Sequence, residues 1–134
     1  MCGIAGTLNN NLDHPVDLEV ISSMLARIQY RGPDESGIYL GENVGLGNVR
    51  LSIIDLKTGQ QPISNDSKSF WIVFNGEIFN YLELREELIL KGYSFNTTSD
   101  TEVVLKLYEE FGPDCLTKLN GQFAIAIWNI KSKE

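Results

Sequence analysis

The stretch FWIVFNGEIFNYLELREELILKG, residues 70–92, changes its hydrophobic period as it runs, and its reading sets the architecture. Residues 70–74 are an unbroken aromatic and branched run, the pattern of a strand buried on both faces. The run stops at Asn75-Gly76. Asn80 then stands where a helix cap belongs, with Glu83 three residues on, a capping-box-like start for a helix over 81–91. Gly92 is its natural C-cap. A doubly buried strand followed closely by a helix makes this a mixed helix–strand chain.

The same alternation continues on both sides. CGIAGTL (2–8) reads as a short strand closed by the turn-forming NNNLDHP (9–15). From Pro15 to about Gln29, Leu18, Ile21, Met24, Leu25 and Ile28 recur at threes and fours, which predicts an amphipathic helix. RGPDESG (31–37) is a loop, with glycines near both ends and a proline that disfavours helix before it. Residues 37–56 hold two strands around their glycines, followed by the turn KTGQQP (57–62). YSFNTT (93–98) reads as a short strand. Ser99 and Glu102 make a second capping box, opening a helix over 101–111 before Gly112 and Pro113. QFAIAIWNI (122–130) is another apolar strand, and KSKE begins a hairpin turn.

A chain of 134 residues is one domain or part of one, and it is long enough to bury a core. The formal charge of −7 argues against a phosphate-backbone partner, which needs clustered Lys and Arg. No apolar run nears the ~18 residues of a membrane span, and no secretory signal opens the chain. Cys2 and Cys115 have no metal-type spacing; the reading is of a reduced, cytoplasmic protein, with room for one disulfide. There is no phosphate-binding loop, no dinucleotide fingerprint and no metal-ligand cluster. His14, the single histidine, sits in a polar turn and reads as surface. The chain ends just after a strand that wants neighbours on both sides, so it is expected to be a piece of a longer protein.

Several residues carry two readings each. Removal of Met1 would leave Cys2 with a free α-amine of pKa about 7.7–8.0, uniting nucleophile and base in one residue. Equally, Cys2 is a small hydrophobe starting a strand. Arg50, inside an apolar strand, suits bidentate capture of a carboxylate, or else points to solvent from an edge. Asn75 and Gly76 offer a side-chain amide and an unhindered N–H at one point, the makings of an oxyanion hole, or else form a turn. Asp100 can meet a ligand's ammonium or simply face the helix dipole. Cys115 reads as packed core.

Taken in order, CGIAG, RGPDESG, NVRLSIIDLKTGQQP, NGEIFNY, SDTEVVL and LNGQFAIAIWN closely resemble the glutamine-hydrolysing domain of class II glutamine amidotransferases. These belong to the N-terminal-nucleophile hydrolases, and RLSIIDL followed by GQQP is similar to the asparagine synthetase branch. The resemblance implies an α+β fold, the four-layer αββα sandwich, with residues 1–134 a glutaminase domain incomplete at its C-terminal end. It implies hydrolysis of L-glutamine to glutamate and ammonia through a Cys2 thioester. Cys2 would be nucleophile, with Asn75 and Gly76 holding the oxyanion. Arg50 would bind the α-carboxylate, with backbone from a Leu51–Ile53 strand nearby. Asp100 would hold the α-ammonium, assisted by Glu77. The domain itself would need no cofactor; ATP and Mg belong to a C-terminal synthetase domain of the same polypeptide, which would use the ammonia. A homodimer is one assembly left open. The alternative is a non-catalytic glutamine-binding or interaction module, and a thiol redox protein would need Cys115 beside Cys2. Tyr30 and Asn48 stand where many members carry histidine, and Phe79 where tyrosine is frequent; these read as branch variation.

Overall fold

In the computed structural model, residues 2–11, 14–51 and 59–134 are described. They form six strands and three helices, in the order β1 (Gly3–Leu8), α1 (Leu18–Ile28), β2 (Glu35–Leu40), β3 (Val44–Arg50), β4 (Ile63–Ser64), β5 (Phe70–Ile78), α2 (Tyr81–Leu90), α3 (Asp100–Phe111) and β6 (Gly121–Asn129). The strands make two antiparallel sheets, β1-β3-β2 and β4-β5-β6. None of the helices among the described residues is long and apolar enough to cross a membrane.

Strand alternation assigns each residue to a layer. On β3, Val44 and Leu46 face the second sheet, where they meet Val73 and Trp128. Gly45 and Gly47 face the other way, and a Cβ on Gly47 would lie 2.8 Å from Leu25 Cδ1 of α1. The missing side chain at Gly47 lets α1 sit close against its sheet. On β5, Trp71 and Val73 point into the inter-sheet layer, while Ile72, Phe74 and Ile78 point outward into a cluster with Leu84, Leu88, Val103 and Leu107. Tyr39 of β2 stacks on Trp71 across the sheets, with ring centroids 4.3 Å apart. The layers therefore run α1, sheet, sheet, α2 with α3, the expected α+β sandwich.

Five local expectations are corrected. The 70–74 run does not stop at Asn75-Gly76; β5 continues to Ile78, paired with β6 through Ile78↔Gly121. Helix α1 starts at Leu18, because the Asp17 carboxylate accepts from Glu19 N (2.8 Å) and caps it there. Asn80 precedes α2, yet its side chain does not cap it. Instead it donates to Lys118 O (3.0 Å) and accepts from Asn120 N (2.9 Å), tying α2 to the start of β6. Residues 93–98 are not a strand: the Glu102 carboxylate takes the Asn96 and Thr97 amides at 2.9 and 2.7 Å, bonds a ladder would need. Ser99 does cap α3, accepting from Thr101 N, but Glu102 is spent on that preceding segment. The turn after β6 is present, with Asn129 Oδ1 accepting from Lys131 N at 3.0 Å.

Ile72 is fully buried between β5 and the helices, whereas Leu90 is 89% exposed at the end of α2. Ile72→Ala should cost about 2–5 kcal/mol in urea unfolding, and Leu90→Ala should stay within about 0.5 kcal/mol.

Candidate active site

The alternation that builds the inter-sheet layer also builds the site. Continuing β3 past Val44 and Leu46 on the same face gives Asn48 and Arg50; continuing β5 past Trp71 and Val73 gives Asn75 and Glu77. On β1, Cys2 shares a face with Ile4, which packs into the inter-sheet layer. Where the apolar layer ends, polar side chains take over the same interior surface. There they line a cavity of about 480 Å3 that includes Cys2, Arg50, Leu51, Asn75, Gly76, Glu77 and Asp100. Every expected site residue within the described chain is thus in one place. Ile53 lies outside the described residues, and β3 ends at Arg50, ahead of Leu51.

Cys2 is half-buried, and its thiol donates to Leu51 O at 3.7 Å. Its own carbonyl accepts from Arg31 Nε at 3.0 Å, which pins the residue at the mouth of β1. Cys115 is buried in the helical cluster, and both cysteines are free thiols. Burial pushes the Cys115 thiol pKa up, with the nearby Asp114 charge adding to it. This is a packed core thiol, and a redox pair with Cys2 finds no support.

Arg50 is only 5% exposed on the central strand of its sheet, so it is not a solvent-facing edge arginine. Its Nη1 donates to Glu35 Oε2 at 2.8 Å, from the position directly opposite on β2. The loop before β2 packs along this backbone: Asp34 N donates to Arg50 O at 3.1 Å. A Cβ on Gly32 would collide with the Val49–Arg50 peptide, which explains a glycine there.

Asn75 and Gly76 are not a turn. Gly76 has φ +151°, and a Cβ there would strike the Gln122 carbonyl of β6. Only glycine keeps both this conformation and the β5–β6 pairing. Gly76 also lines the cavity.

Asp100 begins α3 and is 5% exposed. Its Oδ2 accepts from Ile78 N at 3.1 Å, so the end of β5 and the start of α3 are joined at this carboxylate. Burial raises its pKa above the ordinary 3.8 and the Glu77 charge adds to that, against lowering by the Ile78 and Thr101 amides. Two carboxylates facing one cavity, one of them desolvated, form a site that a cationic group would relieve. Among the described residues no group of three or more His, Cys, Asp or Glu is arranged to hold a metal ion.

Sequence reasoning passed over Arg31, Asn48 and Gln61. Arg31 lay inside a loop-forming motif, and Asn48 read as branch variation without contact to the site. Asn48 is instead 1% exposed, with its Nδ2 within 3.4 Å of Gly3 O and 3.3 Å of Phe74 O. A lone polar residue at an inward-facing strand position was the available signal. Tyr30, by contrast, is a surface residue, 80% exposed, while Phe79 is 60% exposed at the rim of the cavity it helps to line.

Compared with known proteins, residues 1–134 match the family model described as a glutamine amidotransferase domain. Asparagine synthetase [glutamine-hydrolyzing] 1 of Bacillus subtilis is 49% identical over 134 residues, covering 96% of this chain and 21% of that protein. Asparagine synthetase B [glutamine-hydrolyzing] of Escherichia coli is 43% identical over 130 residues, covering 96% of this chain and 23% of its own length. Among solved structures, glutamine phosphoribosylpyrophosphate amidotransferase from B. subtilis superposes with TM-score 0.77 at 20% identity, over 97% of this chain and 35% of that one. That is a likeness of fold. The chain spans about a fifth of the length of these curated relatives.

A carboxyl with a raised folded pKa holds its proton more tightly folded than unfolded, so stability falls as pH rises through the interval above 3.8. Asp100→Asn removes that titration. In urea unfolding, the variant should gain on the wild type as pH climbs from about 3 through the carboxylate range, then run parallel to it.

Proposed function

The chain belongs to the glutamine amidotransferase domain family, and on that footing we propose that its cavity hydrolyses L-glutamine to glutamate and ammonia. The observation that carries this reading is convergence: residues from position 2 to position 100, on four separate segments, line one cavity with the groups this reaction needs. Two opposite charges suit the amino-acid end of the substrate, and two neutral donors suit a developing oxyanion.

In this reading Met1 is absent and the Cys2 α-amine takes the thiol proton. The sulfur attacks the side-chain amide carbon of glutamine, forming a C–S bond and a tetrahedral oxyanion. The Asn75 amide and the Gly76 N–H receive that negative charge. As the intermediate collapses, the C–N bond breaks and the leaving nitrogen takes the proton back from the α-ammonium, departing as ammonia. Water then adds to the γ-glutamyl thioester, the amine again accepting a proton, and glutamate leaves with the thiol restored. Arg50, oriented by Glu35, holds the α-carboxylate, while Asp100 and Glu77 hold the α-ammonium. Leu51 contributes the carbonyl that holds the thiol; Ile53 is proposed for the same carboxylate-side wall.

The ammonia would pass to an ATP- and Mg-dependent synthetase domain outside these 134 residues, of the asparagine synthetase kind. The glutaminase domain itself uses no cofactor in this scheme. A cytoplasmic location completes the reading, with a homodimer as one assembly it leaves open. The support for a synthetase partner is the 49% identity to a protein named for both glutamine hydrolysis and asparagine synthesis.

Glutaminase assays test the chemistry directly. Cys2→Ala should remove hydrolysis down to background, a loss of several orders of magnitude, with the fold unchanged by circular dichroism. Retained hydrolysis would overturn the mechanism, and glutamine binding without turnover in the processed wild type would favour the non-catalytic module. A second outcome concerns pH. Protonating Asp100 removes its charge, so KM for glutamine should rise on acidification through the interval above 3.8. Asp100→Asn should have a high KM that is flat over the same range.

A further inference from the structure

The Phe74 backbone is the point from which Asn75 is hung, and it is held in an unusual way. Strand β4 pairs with β5 only at Ile63↔Ile72 and Ser64↔Trp71. Two residues further along β5, no β4 residue continues the ladder at Phe74. Two side-chain carboxamides do so instead. Phe74 N donates to Gln61 Oε1 at 2.7 Å, and Phe74 O accepts from Asn48 Nδ2 at 3.3 Å.

Each amide has a second attachment, and each second attachment lies beside a proposed site residue. Asn48 Nδ2 also reaches the carbonyl of Gly3, the residue after Cys2, at 3.4 Å. Gln61 Nε2 reaches Thr101 Oγ1, on the residue after Asp100, at 3.3 Å. The two peptide groups flanking the Phe74 Cα are therefore linked, the Phe74–Asn75 one to the nucleophile's strand across the sandwich and the Val73–Phe74 one to the ammonium-binding helix. Asn48 is 1% exposed, so its two bonds form where water does not compete for them, whereas the two Gln61 bonds are partly buried.

We propose that Asn48 and Gln61 are positioning residues that fix the Phe74 backbone on both sides of its Cα, and through it set where the Asn75 oxyanion donor stands relative to Cys2 and Asp100. The proposal rests on the function proposed above and deepens it. Neither side chain needs to touch the reacting atoms. Their effect is geometric: an oxyanion donor acts over a narrow range of distance, and a displacement of about 1 Å in such a constellation costs on the order of a hundredfold in rate. Asn48 should therefore act on the chemical step. The Gln61–Thr101 arm should act on glutamine binding as well, because it leads to Asp100.

The test uses the full chain with Met1 removed and compares Asn48→Leu, Gln61→Met, the double variant and Thr101→Val. Steady-state glutaminase kinetics, urea unfolding and the rate of Cys2 alkylation by iodoacetamide are measured on each. We expect Asn48→Leu and Gln61→Met each to lower kcat by at least about tenfold, with alkylation of Cys2 within about twofold of wild type. KM should stay within about threefold for Asn48→Leu, and Thr101→Val should raise KM while leaving kcat within about twofold. Because both amides hold the backbone of one residue, the double variant should lose much less than the product of the single losses. If Asn48→Leu does not fold, the half-exposed position of Gln61 makes Gln61→Met the deciding variant. Folded variants with kcat within about twofold of wild type, or losses that multiply independently, overturn the clamp. Hydrolysis surviving Cys2→Ala overturns the underlying function, a distinct result.

Discussion

Face-to-face packing of two sheets is the constraint on which the rest of this structure depends. Val44 and Leu46 from one sheet meet Val73 and Trp128 from the other, and their burial fixes which face of each strand looks inward. Strand geometry then leaves no choice about the next residues on that face. Two and four residues beyond Leu46 come Asn48 and Arg50, and two and four beyond Val73 come Asn75 and Glu77. The site is the polar continuation of the apolar core, placed by the same alternation and rigid for the same reason. A register slip of one residue in β3 or β5 would turn the whole set outward.

Burying charged groups at that end of the sandwich carries an energetic cost that the fold meets locally. Arg50 is held by Glu35 from the adjacent strand. Asp100 is held by the Ile78 amide yet keeps a raised pKa, with Glu77 close by. In the proposed function the substrate's own ammonium supplies the missing countercharge, so binding strength and unfilled-site strain are two sides of one arrangement. Lys106 makes a useful contrast. It is 3% exposed and paired with Asp66 at 2.6 Å, a buried charge satisfied within the protein and remote from any role in the site.

How much of this could be read in advance varied with how local the signal was. The 70–74 strand, the three helices and the glycine-separated pair β2 and β3 follow from periodicity and punctuation, and the structure has them. Asn75-Gly76 misled because that dipeptide is a turn signal in isolation. Only pairing with β6, some 45 residues later in the chain, keeps it in a strand. Residues 93–98 had strand composition but lost their amides to Glu102. The candidate site residues Cys2, Arg50, Asn75, Gly76 and Asp100 were nameable as a set through the family resemblance, whereas residue chemistry alone left each with a bland reading. Asn48, Gln61 and Arg31 stayed hidden because their significance is a hydrogen bond to a backbone group far away in sequence.

The central claim is that Cys2 forms a covalent γ-glutamyl thioester in this cavity. Acid-quenching the reaction during turnover and measuring intact mass with peptide mapping tests it most directly. The account predicts a chain lacking Met1 that carries a γ-glutamyl group on Cys2, removed by hydroxylamine and absent in Cys2→Ala. Steady hydrolysis of glutamine by a chain that keeps Met1, with no adduct on Cys2 at any quench time, would contradict it.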